Sequence, residues 1–231
     1  MSFNWFQLVP GVVGPEGDYT HVATLTATVA ASVVLGSIAR NQLKTGEDAA
    51  KPTDRFSIRG IFEIITDFVS KLAHQVIGHH YQPYVPFFSA MFFFILFNNL
   101  VGILPGMTPA TENINTTFAF GIFSFMTYNF IGLKKGGTHY LAHFLGPIWW
   151  LAPLMLIIEL ISHMIRPLTL GMRMANVLTG DHTALMVFLD LVPFLVPIPL
   201  YALSLIVAFI QAFVFTLLSM VYVSLATASD H

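Results

Sequence analysis

Residues 149–192 read WWLAPLMLIIELISHMIRPLTLGMRMANVLTGDHTALMVFLDLV. This stretch is too long for an ordinary membrane span and too apolar for a soluble helix. Its roughly 44 residues would extend about 65 Å as one helix, against a hydrocarbon core of about 30 Å. The element must lie at a steep tilt, break near its middle, or both. Pro167, Gly171 and Gly180 are candidate weak points, and Pro193, Pro197 and Pro199 are expected to end it. Within it, Glu159, Ser162, Arg166, Thr169, Arg173, Asn176 and Gly180 follow one another at steps of three or four. That spacing makes one polar stripe on a helix whose other faces are mostly Leu, Ile and Met.

The rest of the chain agrees with a membrane setting. Of 231 residues, 55% are hydrophobic and only 10% charged, where a soluble domain carries about 25% charged residues. Further apolar stretches cover Val22–Ala39, Pro86–Gly106, Thr116–Leu133 and Leu200–Ala226. The expected fold is an all-α integral membrane protein forming a single membrane domain over residues 1–231. It has an outer arm at 1–20 and spans at 21–40, 84–106 and 116–134. A long tilted helix at 148–192 forms a hairpin with the last helix, 200–227. Residues 56–81 differ from the spans. Glu63, Asp67 and Lys71 recur every fourth residue, with Ile64, Ile65, Phe68, Val69 and Leu72 on the other face. This pattern predicts an amphipathic helix lying in the membrane interface.

Charge gives the orientation. Of the 10 Lys and Arg, all but Arg166 and Arg173 fall at 40–71 or 134–135. The positive-inside rule places those segments in the cytoplasm, the N-terminal arm and the loop holding Glu112 outside, and the C-terminus inside. The first span lacks a preceding basic region, so it reads as a retained helix rather than a cleaved signal, and the lack of an Arg- and Ser-rich leader points to a bacterial plasma (inner) membrane. A net charge of −2 gives no basic face for nucleic acid, and the absence of Cys excludes thiolate metal sites. No metal or other cofactor is expected.

Arginine inside a bilayer costs about 2.5–3.5 kcal/mol and so calls for a reason. Its side chain stays protonated at all relevant pH, so Arg173 and Arg166 can act only as fixed charges and hydrogen-bond donors. Glu159, His163, Asp181, His182 and Asp190 can exchange protons. A fixed cation flanked by such groups describes two proton paths with an electrostatic barrier between them. The chain holds no obvious carrier past that barrier, so a partner is implied. A static helix contact, in which Glu159 and Arg166 satisfy each other, is the plainer alternative. On the last helix Ser204, Gln211 and Ser219 recur at steps of seven and eight, and Gln211 stands near the midplane. It is either an interhelical hydrogen bond or a neighbour of the arginine.

Three segments carry a resemblance. IRPLTLGMRMAN at 165–176, IQAFVFTLLSMVYVSLA at 210–226 and FILFNNLVGILPG at 94–106 resemble subunit a of the F-type rotary ATP synthases. The resemblance covers residue 56 to the end. It implies that Arg173 is the essential charge facing the carboxylates of a c-subunit ring, with Gln211 opposite it and Arg166 and Glu159 at the upstream basic and acidic positions. It also implies partnership with peripheral-stalk b subunits and the rest of the synthase, in contact with membrane lipid. Asn176 matches an asparagine that lies four residues after the arginine in many members but three after it here. MANVLTGDH is thus one residue short, which leaves open whether Asp181 or His182 takes the family's titratable position. Ser204 falls where members often carry a partner His or Glu. The implied role is ion translocation, protons rather than sodium, through two half-channels that drive rotation. With no phosphate-binding glycine loop, the chain does no phosphoryl chemistry itself. A self-contained secondary transporter and a static scaffold are the competing readings. The transporter reading lacks the internal repeat common in that class.

Overall fold

The computed structural model describes residues 13–14, 17–18, 20–41, 58–79, 81–104, 107–143, 152–191 and 197–227. Most of the N-terminal arm, and the expected helical residues 148–151 and 192, lie outside the described residues. Two short strands, β1 (Val13–Gly14) and β2 (Gly17–Asp18), pair antiparallel. The remaining elements are helices: α1 (Thr20–Asn41), α2 (Ile58–Ile77), α3 (Val85–Val101), α4 (Ile114–His143), α5 (Ala152–Leu191) and α6 (Pro197–Thr227). Five segments are long and apolar enough to cross a bilayer: Thr20–Asn41, Gln82–Val101, Ile114–Lys134, Pro153–Leu189 and Ile198–Thr227. The protein is therefore an all-α, multi-pass membrane protein, since helices satisfy their own backbone in lipid.

The chain divides into two compact units. The first comprises residues 1–110 with 199–213 of α6. On α1, the hydroxyls of Thr24, Thr28 and Ser32 donate to the carbonyls of Thr20, Thr24 and Thr28 at 2.9, 2.7 and 2.8 Å. Back-bonding of this kind lets hydroxyls sit in an apolar helix without an outside partner. Aromatic rings bind α2 to α3 and α6. Phe62 stacks on Phe93 with centroids 4.3 Å apart, and Phe68 touches the rings of Phe92, Phe209 and Phe213. The amide of Asn99 donates to the Ala208 carbonyl at 3.3 Å. Gly102 is required where it stands, because an added Cβ would lie 2.6 Å from the Pro109 ring.

The second unit comprises residues 111–198 with 214–231. Its central feature is α5, continuous through all 40 residues with Pro167 inside it. Neither Pro167, Gly171 nor Gly180 breaks it. The Thr169 hydroxyl donates to the carbonyls of Ile165 and Arg166, both at 3.0 Å, adding side-chain bonds in the turn around the proline. Gly171 serves packing instead of weakening the helix. A Cβ there would lie 3.0 Å from the Thr117 carbonyl oxygen, and one on Gly121 would lie 2.5 Å from the Pro167 carbonyl oxygen. Helices α4 and α5 thus meet backbone to backbone, as small residues allow in membranes. Ser124 on α4 and Ser219 on α6 close the unit with a hydroxyl pair at 2.8 Å.

One expectation is corrected by the helix bounds. Pro197 and Pro199 do not end the long helix but open α6. The first turn of a helix has no intrahelical partners for its N–H groups, so a residue lacking an N–H is tolerated there.

Candidate functional site

The packing of α5 determines which of its side chains remain open. Leu170, Met174, Ala175, Leu178, His182 and Leu185 are buried. Thr169, Arg173, Asn176 and Gly180 are exposed. At 100° per residue these two sets point in nearly opposite directions. Contact with α4 through Gly121 and Gly171 therefore turns the polar stripe outward.

The two arginines of α5 have different surroundings. Arg166 is half-buried, its Nη2 3.7 Å from Oε1 of Glu159, and its guanidinium lies 5.5 Å from the Tyr222 ring centre on α6. Glu159 and Arg166, two turns apart, thus stand within ion-pair distance. By contrast, Arg173 is exposed and has no ion-pair partner among the described residues.

His163 is buried, with its Nε2 2.7 Å from Oδ1 of Asn129 on α4. The Asn129 amide nitrogen donates to the Phe125 carbonyl at 2.8 Å. Its oxygen must then accept, so Nε2 of His163 carries the proton. The rings of Phe125 and Tyr128 pack against the imidazole at 5.0 and 5.4 Å.

Nearer the C-terminal end of α5, His182 is buried and its Nδ1 lies 3.2 Å from Oε2 of Glu112. That oxygen is itself buried and makes no aligned hydrogen bond. Asp181, next in the chain, is half-buried. Ser204 and Gln211 are both buried, on the part of α6 that belongs to the first unit. The side chain of Asp190 lies outside the described residues.

Along α5 the order is therefore Glu159 with Arg166, then Arg173, then His182 with Glu112. At 1.5 Å per residue, Glu159 and His182 stand about 21 Å and about 14 Å from Arg173 in opposite directions. Sequence reasoning missed two members of this array, Asn129 and Glu112. Glu112 had served only to orient a loop, and its pairing with α5 depends on how that loop folds back.

The family described as "ATP synthase A chain" matches residues 22–224. The chain is 60% identical to ATP synthase subunit a of Bdellovibrio bacteriovorus over 232 aligned positions, covering 100% of both chains. It is 40% identical to that of Geobacter sulfurreducens over 199 positions, 86% of this chain and 83% of that one. With the subunit a of Geotalea uraniireducens the identity is 38% over 216 positions, 94% and 91% of the two chains. A match this complete, on a chain of membrane helices with a charged stripe, means that the protein belongs to the ATP synthase A chain family and is a multi-pass membrane component of an ATP synthase complex.

Proposed function

We propose that this chain is the ion-translocating stator of the synthase and that Arg173 is the fixed charge between its two proton paths. The observation that carries this is the contrast on α5: Arg166 is paired, and Arg173 has no ion-pair partner among the described residues and faces outward. A rotor carboxylate on a c-subunit ring is the complementary group. Desolvation in lipid raises the pKa of such a carboxyl and a nearby cation lowers it. A proton arriving by one path neutralises the carboxylate, which then tolerates lipid. After nearly a full turn, the guanidinium of Arg173 favours release into the second path. The resemblance gives Gln211 the part of a neutral hydrogen-bonding group in the same mechanism, and Asn176 lies on the same outward stripe as Arg173.

The first path enters past Glu112 and His182, with Asp181 next to the latter in the chain. The second leaves past Glu159 and His163. The charge rule favours these directions, with one contact extending it to α5. The charge rule puts the loop of Glu112 outside, and the contact with His182 ties that loop to the end of α5 remote from Lys134 and Lys135. His182 is thereby preferred over Asp181 as the titratable group of this chain. At 40 residues, α5 is about 60 Å long, so it is proposed to lie far from the membrane normal.

Reconstitution separates this function from the others. Vesicles holding this chain with a c-subunit ring should conduct protons, and vesicles holding the chain alone should not. Conduction by the chain alone would mark a self-contained transporter.

The inlet gives a second expected result. His182→Ala and Glu112→Gln should each slow ATP-driven acidification of inverted vesicles by at least about tenfold, as loss of a proton-transfer group does. The double variant should be little worse than either single one, because the two groups act as a unit. Additive losses would separate Glu112 from the path. For the orientation, cysteines introduced at Lys71, Asn115 and Lys134, all exposed in the chain, are treated in whole cells with an impermeant thiol reagent. Only the Asn115 position should react, and labelling at Lys71 would invert the topology.

A further inference from the structure

An open cavity of about 530 Å³ lies between α1, α2 and the start of α3, within the first unit. Its α1 wall is Gly36, Ala39 and Arg40, and its α2 wall includes Arg59, Glu63, Thr66, Asp67 and Ser70. Gly36 opens the space, since a Cβ built there meets nothing within 4 Å.

The lining holds Arg40 and Arg59 against Glu63 and Asp67, and Lys71 beside it pairs with Asp67, so one cation is left over. Glu63 is bonded by Arg59 one turn earlier, and Asp67 by Lys71 at 2.6 Å one turn later. Both carboxylates are therefore matched by bases of their own helix. Arg40, in the last turn of α1, has no ion-pair partner among the described residues. The remaining polar wall groups, Thr66 and Ser70, are hydroxyls that can donate. An exposed guanidinium facing two hydroxyls across an open cavity is suited to an anion with several acceptor oxygens, and phosphate best matches the planar fork.

The surface beneath the cavity says where the phosphate comes from. Val22, Val29, Val33, Gly36 and Arg40 are spaced by seven, four, three and four, which places them on one face of α1. Its valines are 42%, 42% and 65% exposed. The cavity thus caps an open apolar stripe at the end of a membrane span. A free ion would use the cavity and leave the stripe bare, whereas a phospholipid would use both.

We infer that Arg40, Thr66 and Ser70 form a binding site for the phosphate of a membrane phospholipid whose acyl chain lies along Val22, Val29 and Val33. The site does not depend on the roles given to α5. It fixes the end of α1 to the interfacial helix α2 through a lipid, so the membrane itself becomes part of the packing of the first unit.

The test uses the intact synthase in native vesicles and a phosphatidylglycerol bearing a diazirine in its acyl chain. After illumination, adducts are mapped by mass spectrometry, and assembly is checked by immunoblot. Labelling should concentrate on α1 around Val29 and Val33. Arg40→Gln should reduce it about tenfold, the effect of losing a charge-assisted bond, and Arg40→Lys should retain part of it. Gly36→Phe, which fills the cavity without touching a charge, should also remove labelling, and Lys134→Gln should not change it. Unchanged labelling in both Arg40→Gln and Gly36→Phe overturns the site. So does loss of labelling on adding millimolar inorganic phosphate, which would make it a site for a free anion. A third contrary result is adducts found on another polypeptide over α1, which would make the stripe a protein interface.

Discussion

Replacing Arg173 by Ala is expected to abolish ATP-driven acidification in inverted vesicles, by at least about 100-fold, with normal amounts of the chain in the membrane. The magnitude is that of losing a preorganised charge at a site with little water. Arg173→Lys should fail nearly as badly. Lysine keeps the charge only while protonated, and it loses the planar fork that can meet a carboxylate through two bonds. Arg166→Ala is the informative contrast. It removes a half-exposed pair with Glu159, 3.7 Å apart, and pairs of this kind are worth about 0–1 kcal/mol. Its effect on pumping should be mild. Assembly should survive Arg173→Ala because the side chain is exposed and holds no other described residue in place. Normal pumping by Arg173→Ala would refute the proposed mechanism. Collapse of Arg166→Ala to the same level would mean that the whole stripe, rather than one charge, governs transport.

The stripe on α5 was legible from the sequence because helical spacing is a local property. Steps of three and four from Glu159 to Gly180 put those residues on one face before any fold is known. The five spans were legible for the same reason, as was the amphipathic pattern of α2. What could not be read are the contacts made across elements. His163 meets Asn129 from 34 residues earlier in the chain, and His182 meets Glu112 through a loop that folds back. Both depend on the register between helices, which hydropathy does not encode in a chain that is apolar almost all round. The prolines show the same limit in another way. Pro197 and Pro199 punctuate equally well as an end of α5 or a start of α6, and only the helix bounds decide it. Gly171 was noticed but given the wrong physical role. A glycine in a membrane helix signals weakness or close approach, and the sequence of one helix does not say which.

The close approach itself yields the second large effect. Gly121→Val is expected to stop pumping nearly as completely as loss of Arg173, although Gly121 is neither charged nor polar. A Cβ at that position would lie 2.5 Å from the Pro167 carbonyl oxygen. The obstacle is backbone, so no side chain can swing aside. Either α4 and α5 part or the substitution is rejected, and overpacking of this kind costs about 1–3 kcal/mol. Separation of the two helices would carry Arg173 with it, since that residue is under two turns along α5 from Pro167. A displacement of about 1 Å is enough to cost about 100-fold where reacting groups must meet. Gly121→Ala should show the same direction with a smaller loss, because its single methyl meets the same carbonyl with less bulk behind it. Met126→Ala supplies the control. Met126 is on the same helix, 64% exposed, and its loss should leave pumping intact. The measurements are vesicle acidification, the amount of chain by immunoblot, and the temperature at which the detergent-solubilised complex loses this chain. The expected pattern is a chain present in the membrane, a lower release temperature and no pumping. If Gly121→Val pumps and survives heating like the unaltered protein, the α4–α5 contact does not set the position of Arg173, and the charge must be located by some other part of the complex.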